Sequence, residues 1–213
     1  MRKLLPLFFC AAAILLALAC QQPASKPAQS TTPSATPTSI PSTSQSEAGS
    51  NEAKVAWIAD GVISPGEYAR TNTYSDYQIS WSNDGTYICI GMKAKTTGWV
   101  AVGFGPELMM KNADIVMGYV ADGKAEVLDL FSTGEFGPHP PDTQLGGTVD
   151  IIESAAKVDN GYTTVEFKRK LDTGDKYDKP LVKGTNKIIW AFGSEPNATL
   201  KHMSRGLGEI DIQ

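Results

Sequence analysis

The chain carries only two histidines, His139 and His202, and this scarcity limits its chemistry more than any motif does. Two imidazoles are too few for a multi-histidine zinc or copper centre. The CxxCH that attaches a c-type haem is absent, as are a glycine-rich phosphate loop, CxxC, HExxH and a GxSxG elbow. Carboxylates such as Asp60, Glu67, Asp114, Asp129, Asp142 and Glu166 are plentiful. Any two of them can come together in a fold, so each is expected in a solvated or turn-capping role. Enzymatic chemistry by this chain alone is not expected.

The side chains that remain as ligand candidates have local settings that can be read directly. Met109 and Met110 follow Pro106 and precede Lys111-Asn112, a loop end where two adjacent methionines cannot both face a core. His202 lies between Lys201 and Met203, followed by Ser204-Arg205-Gly206, which suits a loop or a short strand end. His139, in G-P-H-P-P-D, is held by prolines in a rigid turn expected to face solvent.

The elements that position these residues are short apolar or alternating runs from Trp57 onward, separated by Gly, Asp, Asn and Pro. The runs predict strands at Tyr77 to Ser82, Tyr87 to Ala94, Trp99 to Phe104, Ile115 to Val120, Ala125 to Leu130, Thr148 to Lys157, Thr163 to Lys168 and Lys187 to Phe192. Asn83-Asp84-Gly85 and Asp159-Asn160-Gly161 supply the positive-φ residues that hairpins need. In Thr163 to Lys168, alternation predicts Thr163, Val165 and Phe167 on a buried face and Thr164, Glu166 and Lys168 on a wet one. No helical periodicity appears beyond the N-terminal run. About eight or nine strands in roughly 150 residues imply an all-β, antiparallel two-sheet sandwich. Trp99 and Trp190 suit either a pocket wall or its ordinary core.

Three segments divide the chain: a signal peptide at 1–19, a lipidated cysteine and linker at 20–55, and a β-sandwich at 56–213. Arg2 and Lys3 precede an apolar run from Leu4 to Ala19, interrupted by Pro6 and too short to span a bilayer comfortably. Its end, L-L-A-L-A-C, resembles a bacterial lipobox, which implies a lipid on Cys20 and a lipid-anchored, extracytoplasmic protein of the cell envelope. Gln21 to Ser50 is almost entirely Ser, Thr, Pro, Ala and Gln, and it cannot bury enough apolar surface to offset its chain entropy. At about 3 Å per residue it is a tether. Cys10 leaves with the signal and Cys20 takes the lipid, so Cys89, between Ile88 and Ile90, is the one thiol left and is expected to be a small buried hydrophobe.

The formal charge is -4, and loss of Arg2 and Lys3 with the signal takes it to -6. No basic stripe is present to neutralise phosphates, so nucleic acid is not expected as a partner.

Three segments in order resemble the DOMON family of extracellular β-sandwiches. They are D-G-V-I-S-P-G-E-Y at Asp60 to Tyr68, G-W-V-A-V-G-F-G-P at Gly98 to Pro106 followed by M-M-K-N-A-D-I-V-M-G at Met109 to Gly118, and H-M-S-R-G at His202 to Gly206. The resemblance implies a sandwich holding haem b or a sugar. In haem-binding members a methionine shortly before the A-D-I strand and a histidine near the chain end ligate iron from opposite sides, and these positions fall on Met110 and His202. Beside the resemblance, the fork of donors on Arg205 suits pairing with a haem propionate. A structural methionine, an unliganded surface histidine and a surface ion pair stand as the ordinary alternatives.

The function that follows from the resemblance is a membrane-tethered b-type cytochrome module passing single electrons to an unidentified redox partner protein. The alternative is a carbohydrate- or ligand-binding module without haem, with aromatics such as Trp99 or Tyr119 stacking on sugar faces. A third reading is a haem-bearing subunit of a larger molybdenum dehydrogenase.

Overall fold

The computed structural model describes residues 55–213. The expected signal peptide, Cys20 and nearly all of the linker lie outside the described residues. Ten strands follow in chain order: β1 (Arg70–Tyr74), β2 (Tyr77–Asn83), β3 (Tyr87–Ala94), β4 (Val100–Phe104), β5 (Asp114–Ala121), β6 (Lys124–Phe131), β7 (Glu153–Asp159), β8 (Tyr162–Lys170), β9 (Gly184–Phe192) and β10 (Ser204–Ile212). One four-residue helix, α1 (Asp142–Leu145), is the only helix among the described residues. The strands form two antiparallel five-stranded sheets, ordered β1-β2-β3-β8-β7 and β10-β9-β4-β5-β6. No helix among the described residues is long and apolar enough to cross a membrane.

Alternation builds the core between the sheets. Ile79 and Trp81 of β2 stand opposite Met92 and Ile90 of β3, and Ile90 and Met92 stand opposite Phe167 and Val165 of β8. The second sheet answers with Val100, Val102, Phe104, Val116, Ile188, Trp190 and Phe192, all in the same buried cluster. Each Ile or Phe fully buried here stabilises by about 1.5–3 kcal/mol. The expected turns close the hairpins. Asp84 Oδ1 accepts the Thr86 and Tyr87 N–H groups at 2.9 and 2.7 Å, and Asn160 and Gly161 turn β7 into β8 with φ of 48° and 80°.

Several expectations are corrected. β1 and β10 were not anticipated, because Arg70–Tyr74 and the alternating Gly of Ser204–Ile212 lack an apolar run. β7 begins at Glu153 and not at Thr148. Residues 147–152 are instead an irregular segment, in which the Thr148 and Asp150 N–H groups donate to Asp175 Oδ2 and Asp129 Oδ2 at 2.8 Å each. Thr164 and Glu166, placed on a wet face, are buried. Glu166 Oε2 accepts the N–H groups of Asp60, Gly61 and Val62 at 3.1, 2.8 and 3.2 Å, and Tyr68 Oη donates to Oε1 at 2.7 Å. Glu67, Asp114, Asp129 and Asp142 are likewise buried and not solvated. Cys89 is half-buried, on the outer face of β3 opposite Ser82 and Lys168.

Candidate cofactor site

Strand β4 and the adjoining parts of β5 and β9, at the centre of the second sheet, are apolar on both faces, which an ordinary solvated sandwich face is not. Pairing sets Ala101 opposite Met117 and Ala191, and Gly103 opposite Ile115 and Ile189. The side chains of Ala101, Ile115 and Met117 join Trp99, Ala113, Tyr119 and Leu130 in a second buried cluster, separate from the sandwich core, with Ile189 and Ala191 packed against it. Met109 and Met110, the stretch from Glu135 to His139, and Thr199 to His202 border this face and shape with it an open-mouthed cavity of about 880 Å³. That volume lies in the range of about 300–1,000 Å³ typical of ligand pockets. Small residues keep the wall low. A Cβ on Gly103 would come within 2.7 Å of Ile189 Cγ1.

A tight turn presents Met110 to this cavity. Lys111 N–H donates to Leu108 O at 2.9 Å, Ala113 N–H to Met110 O at 3.0 Å, and Met110 N–H to Glu135 O at 3.3 Å. Met109 adopts φ of 54°, which turns the two neighbouring side chains apart. Met110 packs on the outer cluster, while Met109 is 41% exposed at the cavity rim. The adjacent methionines therefore divide as expected, one inward and one outward.

His202 reaches the same cavity from the segment leading into β10, fixed by the Met203 N–H donating to Phe192 O at 2.8 Å. Its ring is half-buried, 3.5 Å from Arg205 Nη1. Partial burial first, then the charges of Arg205 and Lys201, lower its pKa and favour the neutral imidazole, the form that ligates a metal. His139 is corrected: the prolines do hold it in a turn, but it lines the cavity and is half-buried. The Phe131 N–H donating to Pro140 O at 3.0 Å ties that turn to β6.

Both tryptophans serve two roles. Trp190 stacks in the core on Tyr77, with ring centroids 5.1 Å apart, and its edge also lines the cavity. Trp99 lines the cavity with its Nε1–H buried and without a partner. Tyr119 is not an exposed stacking platform. It is 9% exposed, away from the cavity, and its hydroxyl donates to Glu126 Oε2 at 2.6 Å.

Residues 72–193 match the DOMON domain family, more than half of the chain. This protein belongs to the DOMON family. Met110 lies inside the matched residues and His202 beyond them. The DOMON chain is 32% identical over 119 residues to human DBH-like monooxygenase protein 1, covering 56% of this chain and 19% of that protein. It is 29% identical over 148 residues to the Drosophila melanogaster MOXD1 homolog 1, covering 64% of this chain and 20% of the other. The chain thus spans about a fifth of the length of these curated relatives. Among solved structures it is similar to the cytochrome b domain of pyranose dehydrogenase from Coprinopsis cinerea, with TM-score 0.48, 13% identity and coverage of 64% and 77%. The cytochrome domain of Myriococcum thermophilum cellobiose dehydrogenase gives TM-score 0.47, 11% identity and coverage of 64% and 75%.

The donor set of this DOMON domain suits an iron porphyrin. A thioether and a neutral imidazole come from separate segments onto one apolar cavity, and Lys201 and Arg205 supply cationic groups on the same wall for a ligand's carboxylates. Sequence reasoning did not anticipate the contributions of Met117, Ile189, Leu200 or Lys201. An outward apolar face on β4, β5 and β9 was the available signal, visible as strands apolar at every position, such as Val100–Phe104.

Proposed function

We propose that this DOMON domain is a membrane-tethered, extracytoplasmic b-type cytochrome module, with haem b held by Met110 and His202 and serving electron transfer to an unidentified redox partner. The observation that carries the proposal is the convergence of Met110 and His202 on one apolar cavity outside the sandwich core. Met110 and His202 would hold the haem between a thioether and an imidazole, and a haem held by two protein donors would supply one-electron exchange and not oxygen chemistry. The soft sulfur of Met110 would favour ferrous iron. His202, held neutral by its surroundings, needs no proton removed in order to bind. Ala101, Gly103, Ile115 and Ala191 form an apolar wall that limits water, and Arg205 is placed to pair with a propionate. The monooxygenase named in the relatives belongs to proteins of which this chain covers about a fifth, and it is not assigned here.

Titration of the full chain with haem tests the proposal. The expected result is one haem bound per chain with a low-spin spectrum. Absence of binding, together with binding of a soluble sugar, would support a ligand-binding module instead.

The tether rests on Cys20, at the end of the Leu4 to Ala19 run. Cys20→Ser is expected to release the protein from membranes or block its processing, and an unmodified N-terminus on the wild-type protein by intact mass would contradict the anchor.

A further inference from the structure

We propose that Asp114, Asp129, Asp142 and Asp178 form a calcium site that ties α1 and the segment around Asp178 to the start of β5 and the end of β6. One carboxylate oxygen from each of Asp114, Asp129 and Asp178 lies within 4.8 Å of the others. All four aspartates are buried, at 0%, 5%, 1% and 6% exposure in chain order. None lines the cofactor cavity, so the site stands apart from the haem reading.

The protein orients one side of the cluster and leaves the other without donors. Asp114 Oδ2 accepts Arg169 Nη1 at 2.6 Å and the Lys179 N–H at 2.8 Å, while Asp129 Oδ2 accepts the Asp150 N–H at 2.8 Å. Six buried oxygens then have no hydrogen-bond partner: Asp114 Oδ1, Asp129 Oδ1, and both oxygens of Asp142 and Asp178. Arg169 is the one cation in direct contact. Its Nη1 stands 3.8 Å from Asp178 Oδ1, and its Nη2 and Nε donate to the Lys179 and Lys170 carbonyls. One guanidinium cannot neutralise four carboxylates.

Asp142 is the observation independent of the close trio. It comes from α1, both its oxygens lack any donor, and Asp129, Asp114 and Asp178 are the charges that weigh on it most. Burial, followed by these neighbours, pushes the Asp142 carboxyl up to about 7. Burial likewise pushes Asp129 up to about 7, against the pull of the Asp150 N–H. Carboxylates removed from water without counterions are strongly unfavourable, and a bound cation reverses that balance. The donors are all hard oxygens, which selects calcium or magnesium over zinc. Irregular geometry and few neutral donors suit calcium, which accepts six to eight oxygens, better than magnesium, which demands octahedral order and retains its waters.

Calorimetric titration and thermal unfolding of the full chain, stripped with EDTA, test the site. One calcium per chain is expected to bind and raise the Tm by roughly 5 °C or more at saturation. Magnesium at the same concentration should produce a smaller shift. Asp142→Asn and Asp178→Asn should each weaken calcium binding at least tenfold, yet melt no lower than wild type in EDTA, since each removes an uncompensated charge. Asp122→Asn, at the exposed turn between β5 and β6, should bind calcium like wild type. A wild-type Tm indifferent to calcium would overturn the proposal, as would Asn variants that keep wild-type affinity or melt lower than wild type in EDTA.

Discussion

Gly206 and Trp190 face each other across the pairing of β9 and β10, and a Cβ on Gly206 would clash with Cζ2 of the Trp190 indole. The absent side chain lets the indole lie over β10, where Nε1 donates to Leu207 O at 3.3 Å. The same ring stacks on Tyr77 and Tyr74, at 5.1 and 5.8 Å between centroids, and touches the cavity. Core packing and the cavity wall therefore share one residue.

Gly206→Val should displace that indole. Overpacking of this kind costs about 1–3 kcal/mol, so the urea midpoint should fall with an unchanged m-value. Haem affinity should fall with it, because the displaced ring enters the cavity.

Glu166 fixes the Asp60 to Val62 turn to β8 through three backbone N–H groups, and the Tyr68 hydroxyl adds a fourth bond. Glu166→Ala leaves the Asp60 and Gly61 N–H groups and the Tyr68 hydroxyl without an acceptor, while the Val62 N–H keeps Asp60 Oδ1 at 2.8 Å, and should cost about 2–4 kcal/mol. Glu166→Gln, which keeps one oxygen, should cost less. Amide exchange at Asp60 and Gly61 should accelerate in the Ala variant before global unfolding does.

Cys89 should be an unreactive thiol. Burial pushes its pKa up to about 11 despite the nearby Lys168 charge, so the thiolate is scarce at pH 8 and grows as the pH rises toward 11. Alkylation at pH 8 should be about a hundredfold slower than for a free cysteine. Mass spectrometry of the peptide carrying Cys89 checks this, and rapid labelling at pH 7 would contradict it.

The sandwich was legible where local pattern and tertiary role agree. Tyr87–Ala94 is a short, largely apolar run bounded by turn residues and appears as a strand with those bounds, and N-D-G and D-N-G close hairpins because their chemistry is local. Strand β10 was not legible, since Gly206 and Gly208 stand where an apolar side chain would announce it, opposite Trp190 and Ile188. The reason for those glycines lies in neighbours distant in sequence: Trp190 leans over one and the Tyr74 ring over the other. Glu166 and the aspartate cluster failed for a related reason. A carboxylate in an alternating strand looks solvent-facing until the partners that bury it, Asp60 to Val62 or Arg169, are folded against it. At the site, Met110 and His202 were named from a resemblance, whereas His139 was placed in solvent because its prolines describe a turn and not what that turn covers.

The most direct test of the central claim is the carbon monoxide difference spectrum of the ferrous, haem-loaded full chain, measured for wild type and for Met110→Ala, His202→Ala and His139→Ala. With Met110 and His202 as axial ligands, wild type and His139→Ala remain low-spin and do not bind carbon monoxide. Met110→Ala keeps haem and binds it, and His202→Ala loses haem or holds it weakly in a mixed-spin form. Carbon monoxide binding by the wild type, or loss of haem from His139→Ala with retention by His202→Ala, would contradict the account.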